Sequence, residues 1–265
     1  MSSNYGNSLV LHPSSPQITH EMIISFFLSV NNLLDKEKLK QTRMVISPSN
    51  PYIFCWNIMA SSYKALSSNK NIKKVIVISQ SRKVTKWFFL PKQNSIKTIF
   101  GYQQVSRELK NHLLQEKEFY EGDAKNSILE GIYPQLPFIH TFKKTKTILP
   151  IIIWNQKYIK LVNSLKLLIE KDPEIGIVFS MNFPESNKYH KSLEKSNSLC
   201  HMICNHNIRW ISNVSLSNSN IAKSFTILSK KLNYKITPLL YSNSGDFSQY
   251  QSNFTGYFSI ASCEK

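Results

Sequence analysis

Short runs of β-branched residues alternate with helix-like segments along this chain, and this alternation limits the folds that it can adopt. The run Val75-Ile76-Val77-Ile78 is apolar at every position, as in a strand that is buried on both faces. Similar runs at residues 43–47, 147–153 and 175–181 are separated by segments whose apolar residues recur at helical spacing. The pattern predicts the α/β class, with a mostly parallel central sheet flanked by helices.

The remaining predicted elements follow the same order. Helices are predicted at residues 23–34, 55–66, 105–114, 158–169 and 220–232, and further strands at residues 74–79, 236–241 and 255–262. Since 265 residues show no break in composition, we expect a single domain over residues 13–265 and a loose N-terminus over residues 1–12. Ligands bind beyond the carboxyl ends of parallel strands, which makes the loops after Ser47, Ser79 and Met181 the candidate site regions.

The chain is basic, with 33 Lys and Arg residues against 16 Asp and Glu residues and a formal net charge of +17. Such a charge attracts nucleic acid in a salt-dependent way. The positive residues are spread along the chain, however, and no aromatic-rich RNA-binding motif accompanies them. We interpret the charge as compositional drift and keep an RNA- or ribosome-associated protein as an alternative. No Gly-rich phosphate loop is present, which argues against nucleotide-driven chemistry.

Cysteine usage and hydropathy indicate the compartment. The 4 Cys residues have no repeating spacing, so a reducing environment is expected. No signal peptide is evident, and the apolar runs are shorter than the roughly 20 residues of a membrane span. These features predict a cytoplasmic protein without a membrane span. Cys200, His201, Cys204 and His206 lie too close in sequence to close a tetrahedral zinc site easily, and we interpret the two thiols as packed on a short helix.

Two polar segments follow predicted strands and carry a family resemblance. The segment Tyr241-Ser242-Asn243-Ser244-Gly245-Asp246, with Gly256-Tyr257 after it, is a polar turn between two apolar runs, and Gly245 suits a turn that requires positive φ. The segment Pro48-Ser49-Asn50-Pro51-Tyr52 follows the first predicted strand. Together these segments resemble the Memo family over roughly residues 40–262. The resemblance implies a fold akin to that of class III extradiol dioxygenases.

The resemblance also implies metal ligands that this chain lacks. The family has Pro-His-Ala-Gly-Tyr after the first strand, and its metal-binding His corresponds to Ser49. A further ligand lies in the family's Gly-Pro-Ser-His-His, which corresponds to Ser79-Gln80-Ser81-Arg82-Lys83. A third ligand, a Cys, would fall near residues 216–221, which contain no Cys. Because neither Ser nor Arg replaces imidazole as a ligand of transition metals, we expect a scaffold without a metal ion or other cofactor.

The same resemblance implies a vestigial pocket. The family's Ser-Asp-Phe-x-His, which supplies polar pocket residues, corresponds to Met181-Asn182-Phe183-Pro184-Glu185, and a family Gln-Leu-Pro-Phe is kept at residues 135–138. The predicted pocket residues are Ser49, Asn50, Tyr52, Ser81, Arg82, Lys83, Asn182, Glu185, Asn243 and Asp246. Arg82 and Lys83 could bind an anionic ligand, and Glu185 or Asp246 could act as a base. No residue is assigned a catalytic role.

Residues outside the metal-ligand positions match the family, whereas the residues at the ligand positions do not. This contrast leads to our hypothesis for the function. We expect a divergent, catalytically inactive and metal-free Memo-like protein that acts as a cytosolic binding or adaptor module for an unknown protein partner. The resemblance implies signalling to the cytoskeleton and cell motility. The alternative is a copper- or iron-dependent oxidoreductase of the same fold, with Cys200, His201, Cys204 or His206 brought into the pocket.

Overall fold

Strands and helices alternate along most of the chain. The computed structural model describes residues 15–50, 52–81, 83–84, 87–125, 127–141, 147–154, 158–211, 219–247 and 252–265. The strands are β1 (Thr42–Pro48), β2 (Lys74–Gln80), β3 (Phe88–Pro91), β4 (Ser95–Thr98), β5 (Gly101–Gln104), β6 (Phe119–Gly122), β7 (Thr147–Ile153), β8 (Ile175–Met181), β9 (Glu185–Ser186), β10 (Lys235–Asn243) and β11 (Phe254–Cys263).

The helices lie mainly between these strands. They are α1 (Pro16–Ser29), α2 (Lys36–Leu39), α3 (Tyr52–Ser68), α4 (Arg107–Leu113), α5 (Leu136–Thr141), α6 (Tyr158–Lys171), α7 (Tyr189–Cys204), α8 (Ile208–Ile211) and α9 (Ser219–Lys231). Single turns of 3-10 helix occupy Tyr133–Gln135 and Ser244–Asp246. Among the described residues, no helix is both long and apolar enough to cross a bilayer.

One large sheet organises the fold. Its strand order is β10-β11-β1-β8-β2-β7-β3-β6, and the short strand β9 pairs with β11. The four central strands β1, β8, β2 and β7 are parallel. On one side β11 runs antiparallel to both β1 and β10, and on the other side β3 runs antiparallel to β7. The carboxyl ends of β1, β8, β2 and β10 therefore meet at the same edge, which we call the carboxyl edge.

The central strands are buried on both faces, as their sequences predict. Every residue of β1 and β8 is buried, and successive side chains of a strand point to opposite faces. Helix α3 packs on β1, β10 and β11, while α9 packs on β8 and on α6. The predicted α/β class with a large central sheet flanked by helices is confirmed. The expected parallel pairing holds at the centre, and both flanks of the sheet reverse direction.

Most predicted elements are found within a few residues of their expected bounds. Strands β7 and β8 have the predicted limits, and α3 extends beyond the predicted helix at both ends. The first helix ends at Ser29, earlier than predicted, and it begins after Ser15, whose hydroxyl accepts a hydrogen bond from the amide of Ile18. The sequence analysis missed the strands β3 to β6 and β9, the short helices α2, α5 and α8, and most of α7, of which it expected only a short helix around Cys200 and Cys204. The predicted loose N-terminus, residues 1–12, lies outside the described residues.

Charged side chains form a network at the opposite edge of the large sheet, where the central strands begin. Lys74 Nζ lies 3.0 Å from Asp172 Oδ2 and 2.9 Å from Glu108 Oε2. The buried guanidinium of Arg43 donates to the backbone oxygens of Asp172, at 2.8 Å, and of Ile175, at 2.9 Å. The start of β1 is thereby joined to the turn between α6 and β8.

This network gives a pH-dependent contribution to stability. Burial alone would raise the pKa of Asp172, but hydrogen bonds from Lys74 and from the amide of Glu174 lower it below its ordinary value. Hydrogen bonds to Glu108 and then to Asp172 raise the pKa of Lys74. A lowered carboxyl pKa stabilises the fold above the unfolded value of about 4, and a raised Lys pKa stabilises it below about 10. The contribution is therefore complete between those limits and is lost as the pH falls through the lowered pKa of Asp172.

Asp172→Asn should lower the free energy of unfolding by about 1 kcal/mol near neutral pH, because the amide keeps the shape but removes the charge that faces Lys74. Denaturant titrations of both proteins should show this difference shrinking as the pH falls below about 4. Glu37→Gln, which alters an exposed pair with Lys40, is the control and should change little. A difference for Asp172→Asn that does not depend on pH would contradict the assignment.

Candidate functional site

The carboxyl edge brings two of the predicted pocket residues into contact. Ser49 follows β1, and Asn182 follows the neighbouring strand β8. The amide of Ser49 donates to the backbone oxygen of Met181 at 3.0 Å, and its hydroxyl donates to Asn182 Oδ1. Asn182 is exposed and Ser49 is half-buried, so a neutral hydroxyl–amide pair is presented at the surface of the edge.

Asn50 and Tyr52 lie next to this pair and face inward. Asn50 Oδ1 is buried and has no hydrogen-bond partner within the described part of the chain. The buried hydroxyl of Tyr52 donates to the backbone oxygen of Pro134 at 2.7 Å, and its ring packs edge-on against Phe138. Burial raises the pKa of Tyr52 well above its ordinary value, so this phenol stays protonated and fastens α3 to the segment before α5.

Ser81 and Lys83 follow β2, on the far side of β8 from Ser49. The hydroxyl of Ser81 accepts a hydrogen bond from the amide of Lys83 at 3.2 Å. Lys83 Nζ lies 3.1 Å from Glu130 Oε1, and both side chains are mostly exposed. Arg82, the other half of the predicted anion site, lies outside the described residues. Lys83, the described cation of the predicted anion site, thus already forms an ion pair with the Glu130 carboxylate.

Glu185 lies at the neighbouring part of the edge. It belongs to the short strand β9 and pairs with Thr255 of β11. Its backbone oxygen accepts a hydrogen bond from Lys195 Nζ at 3.1 Å, while its side chain is exposed. The carboxylate is therefore available to solvent.

Asn243 and Asp246 form a closed turn at the end of β10. Asn243 Oδ1 accepts from the amide of Gly245, and Asp246 Oδ2 accepts from the amide of Asn243 at 2.8 Å. Asn243 Nδ2 donates to Ser192 Oγ at 2.7 Å, and Asp246 Oδ1 accepts from the Tyr189 hydroxyl at 2.8 Å. That bond to Asp246 raises the pKa of Tyr189. Both side chains of this turn thus bind protein groups and tie β10 to α7.

The expected positive φ at Gly245 is not observed. Gly245 lies within the 3-10 turn, and the glycine with a positive φ among the described residues is Gly101. The reason for glycine here is space, because a Cβ on Gly245 would lie 2.7 Å from Tyr189 Cδ2 and 2.8 Å from Phe254 Cδ1. The close approach of α7 and β11 therefore explains this residue.

Gln135 is a central polar residue of the edge that the sequence analysis did not single out. Its side chain is fully buried, and its Nε2 donates to the backbone oxygen of Pro48 at 2.6 Å and to Ser180 Oγ at 3.0 Å. Its Oε1 accepts from the Tyr63 hydroxyl at 2.8 Å. One side chain thus joins β1, β8 and α3 beneath the Ser49–Asn182 pair. The retained Gln-Leu-Pro-Phe tail was the sequence signal that could have identified it.

The Cys and His residues of the alternative ligand set lie elsewhere. Cys200, His201 and Cys204 line a groove between α7 and β10, and Ser49 and Asn182 do not line it. His206 follows the end of α7 and has a positive φ of 53°. Within the described residues, no group of three or more His, Cys, Asp and Glu side chains is arranged to hold a metal ion.

A family model described as Memo-like protein matches residues 11–261. The chain belongs to the Memo family. A MEMO1 family protein of Sulfurisphaera tokodaii is 26% identical over 229 residues, which cover 81% of each chain. A MEMO1 family protein of Thermoplasma volcanium is 24% identical over 230 residues, which cover 83% of this chain and 85% of the relative. The Memo resemblance inferred from the polar segments is thus confirmed.

On the correspondence that the resemblance implies, Ser49 stands where the family has a metal-binding His, and its side chain does not suit a transition metal. Ser49 offers a neutral hydroxyl that is engaged with the amide oxygen of Asn182. Transition metals in proteins are bound by imidazole, thiolate or carboxylate groups. The resemblance implies a third position near residues 216–221, of which residues 216–218 lie outside the described residues. No step of a reaction is therefore assigned to a metal at this edge.

Proposed function

We propose that this Memo-family chain is a non-catalytic binding module of the cytoplasm, whose carboxyl edge contacts a protein partner. The observation that supports this function is the hydrogen bond of Ser49 to Asn182. The resemblance implies that this neutral donor–acceptor pair stands where the family has its first ligand. Neutral hydroxyl and amide groups at a surface suit hydrogen bonding to a partner better than they suit proton transfer or metal binding.

The other polar groups of the edge also support binding rather than catalysis. Both carboxylate oxygens of Asp246 accept hydrogen bonds from the protein, which opposes a role as a general base. The side chain of Glu185 is exposed and forms part of the surface that this edge presents to a partner. The proposed module therefore uses the scaffold of the family and a changed set of side chains.

Metal loading provides the first test. Purified protein is exposed to Fe(II), Cu(II) or Zn(II), desalted and measured by elemental mass spectrometry. We expect much less than one metal ion per chain, and no change on Ser49→Ala with Asn182→Ala. Stoichiometric metal that these substitutions abolish would contradict the proposal. Stoichiometric metal that survives them but is lost with Cys200→Ser and Cys204→Ser would favour the alternative oxidoreductase with relocated ligands.

Partner binding provides the second test. Asn182→Arg places a bulky cation at the carboxyl edge, and Gln41→Arg makes the matched change at an exposed residue just before β1, at the opposite edge. Quantitative affinity capture from cells of the source organism should yield a protein that Asn182→Arg loses and Gln41→Arg retains. If both variants capture the same proteins as the unchanged chain, the carboxyl edge is not the binding surface.

The net charge of +17 keeps a basic RNA- or ribosome-associated protein as a second candidate. Binding that rests on phosphate contacts weakens steeply with salt. A fluorescent single-stranded RNA titrated at increasing salt concentrations separates the two candidates. Tight binding with a steep salt dependence supports the RNA-associated function, and weak binding at physiological salt removes it.

A further inference from the structure

Exposed lysines follow the edge of the large sheet that lies opposite the carboxyl edge, where β10, β8 and β2 begin. Each of them lies in the last turn of a helix, in a turn that leads into a strand, or at the first residue of a strand. The strands β10, β11, β1, β8 and β2 are neighbours in that order, so these lysines are spread along one side of the sheet. We call them the lysine band, which consists of Lys70, Lys171, Lys230, Lys231 and Lys235.

No carboxylate of the described residues forms an ion pair with a lysine of this band. Lys231 Nζ donates to Asn163 Oδ1 at 2.6 Å, and this amide partner is neutral. Glu264, an exposed carboxylate that follows β11 at this edge, has Lys265 beside it. The band therefore keeps its positive charge.

Other lysines at this edge are compensated by acidic side chains. The pairs are Lys38 with Asp35, Lys40 with Glu37, Lys73 with Glu174, and Lys74 with Glu108 and Asp172. The carboxyl end of a helix carries roughly −0.5 of a unit charge, so α6 and α9 offset only part of the charge of their last lysines. The lysine band is thus the uncompensated part of the edge.

Hydrogen bonds fix the turns that carry the band. Across the turn between α9 and β10, the amide of Tyr234 donates to the backbone oxygen of Ser229 at 2.9 Å. In the turn before β2, Asn69 Nδ2 donates to the backbone oxygen of Thr42 at 3.2 Å. Neighbouring strands lie about 4.8 Å apart, so the band extends over about 20 Å, or about half of a duplex turn of roughly 34 Å.

The surroundings of the band favour phosphate groups over a lipid surface or an apolar protein surface. None of the described exposed large hydrophobic side chains belongs to the turns at residues 69–73, 172–174 and 232–234, and Leu167 lies one helical turn before Lys171. Membrane-binding surfaces combine cations with a wide apolar face. Proteins that bind single strands add aromatic side chains for base stacking. A duplex requires neither, because its bases are stacked inside and its phosphates face outward.

We propose that the lysine band binds the phosphate backbone of a nucleic-acid duplex without reading its sequence. The lysine ammonium groups contact phosphate oxygens as point charges, and the counterions that they displace are released into solution. The band touches no base edge, so it carries no sequence preference. This surface lies at the edge opposite to the proposed protein-binding surface, and the two proposals can therefore fail separately.

The test titrates the full chain into a short fluorescein-labelled RNA duplex and into a DNA duplex of the same sequence, and follows fluorescence anisotropy from about 50 to 200 mM salt. Lys70→Gln, Lys171→Gln and Lys235→Gln combined should lower the affinity at least about tenfold and reduce the salt slope by about 3, since each lost phosphate contact removes about 1. Binding of both duplexes identifies the shared backbone as the ligand, and binding of one shows which duplex geometry fits the band.

The matched control removes the same charge from exposed lysines on other faces, with Lys117→Gln, Lys188→Gln and Lys191→Gln combined, and should change the affinity much less. Equal losses for the two triple variants would show that binding follows net charge and would overturn the proposal. Tighter binding of the single strand, or no duplex binding at about 50 mM salt, would also overturn it. Binding to phosphatidylserine vesicles in place of the duplexes would assign the band to a membrane surface instead. Circular dichroism confirms that each variant is folded.

Discussion

Replacing Gln135 by Leu should lower the free energy of unfolding by about 3 kcal/mol. The substitution preserves most of the volume but removes the donor for the oxygen of Pro48 and the acceptor for the hydroxyl of Tyr63. All of these groups are buried, and an unsatisfied buried polar group costs roughly 1–3 kcal/mol. Ser180 is less affected, because its hydroxyl also donates to the backbone oxygen of Gly131. Urea denaturation of the two proteins measures the difference.

A double-mutant cycle tests whether the loss arises from these bonds. Tyr63→Phe alone should destabilise the protein by about 1–2 kcal/mol, since Gln135 Oε1 loses its donor. In the Gln135→Leu protein the same change should cost much less, because the Tyr63 hydroxyl has already lost its partner. Gln104→Leu, at an exposed position of β5, is the matched control and should stay within about 0.5 kcal/mol. Strictly additive losses would show that Gln135 and Tyr63 are not coupled.

Gly131→Ala should also destabilise the protein by about 3 kcal/mol, the upper part of the usual range for overpacking. A Cβ at Gly131 would lie 1.9 Å from Ser79 Oγ and 3.0 Å from Ser79 Cβ. Ser79 is buried in β2, so neither β2 nor the segment that carries Gly131 can move without disturbing the edge. A lower melting temperature and a lower denaturation midpoint are the expected observations.

Ser79→Gly offers a specific rescue of that substitution because it removes both atoms that the new Cβ would meet. Ser79→Gly alone should cost about 1 kcal/mol through the added freedom of the unfolded chain. The double variant should nevertheless be more stable than Gly131→Ala alone. If the double variant is less stable than either single variant, the contact between Gly131 and Ser79 is not the cause of the loss.

These two predictions concern residues whose importance depends on distant parts of the chain. Most of the longer strands and helices were predicted to within a few residues because apolar periodicity is a local signal, as β7 and β8 show, but most of α7 was missed. The strands β3 to β6 were missed because each spans four residues, too few for a period to be seen. The reversed direction of β11 and β3 depends on pairing with distant strands, which no local pattern encodes.

The candidate site, too, could be predicted from the sequence only in part. The sequence analysis singled out Ser49 and Asn182, and the folded chain brings these two side chains into contact at the carboxyl edge. The sequence analysis could not show that Asn243 and Asp246 are engaged by Ser192 and Tyr189 of α7. It also attributed Gly245 to backbone conformation, whereas the surrounding side chains require the absence of a Cβ.

The amino-acid pattern alone sets the α/β class and the family, because these depend on residue types and their spacing. The hydrogen-bond partners and the burial of each polar side chain depend on the folded structure. Gln135 and Pro48 are 87 residues apart in sequence, and the hydrogen bond between them forms only when the segment before α5 packs on the carboxyl edge. Cys200 and Cys204 likewise become a pair in a groove only after β10 lies against α7. Burial and partners, which determine the chemistry of a polar group, are properties of the packed structure.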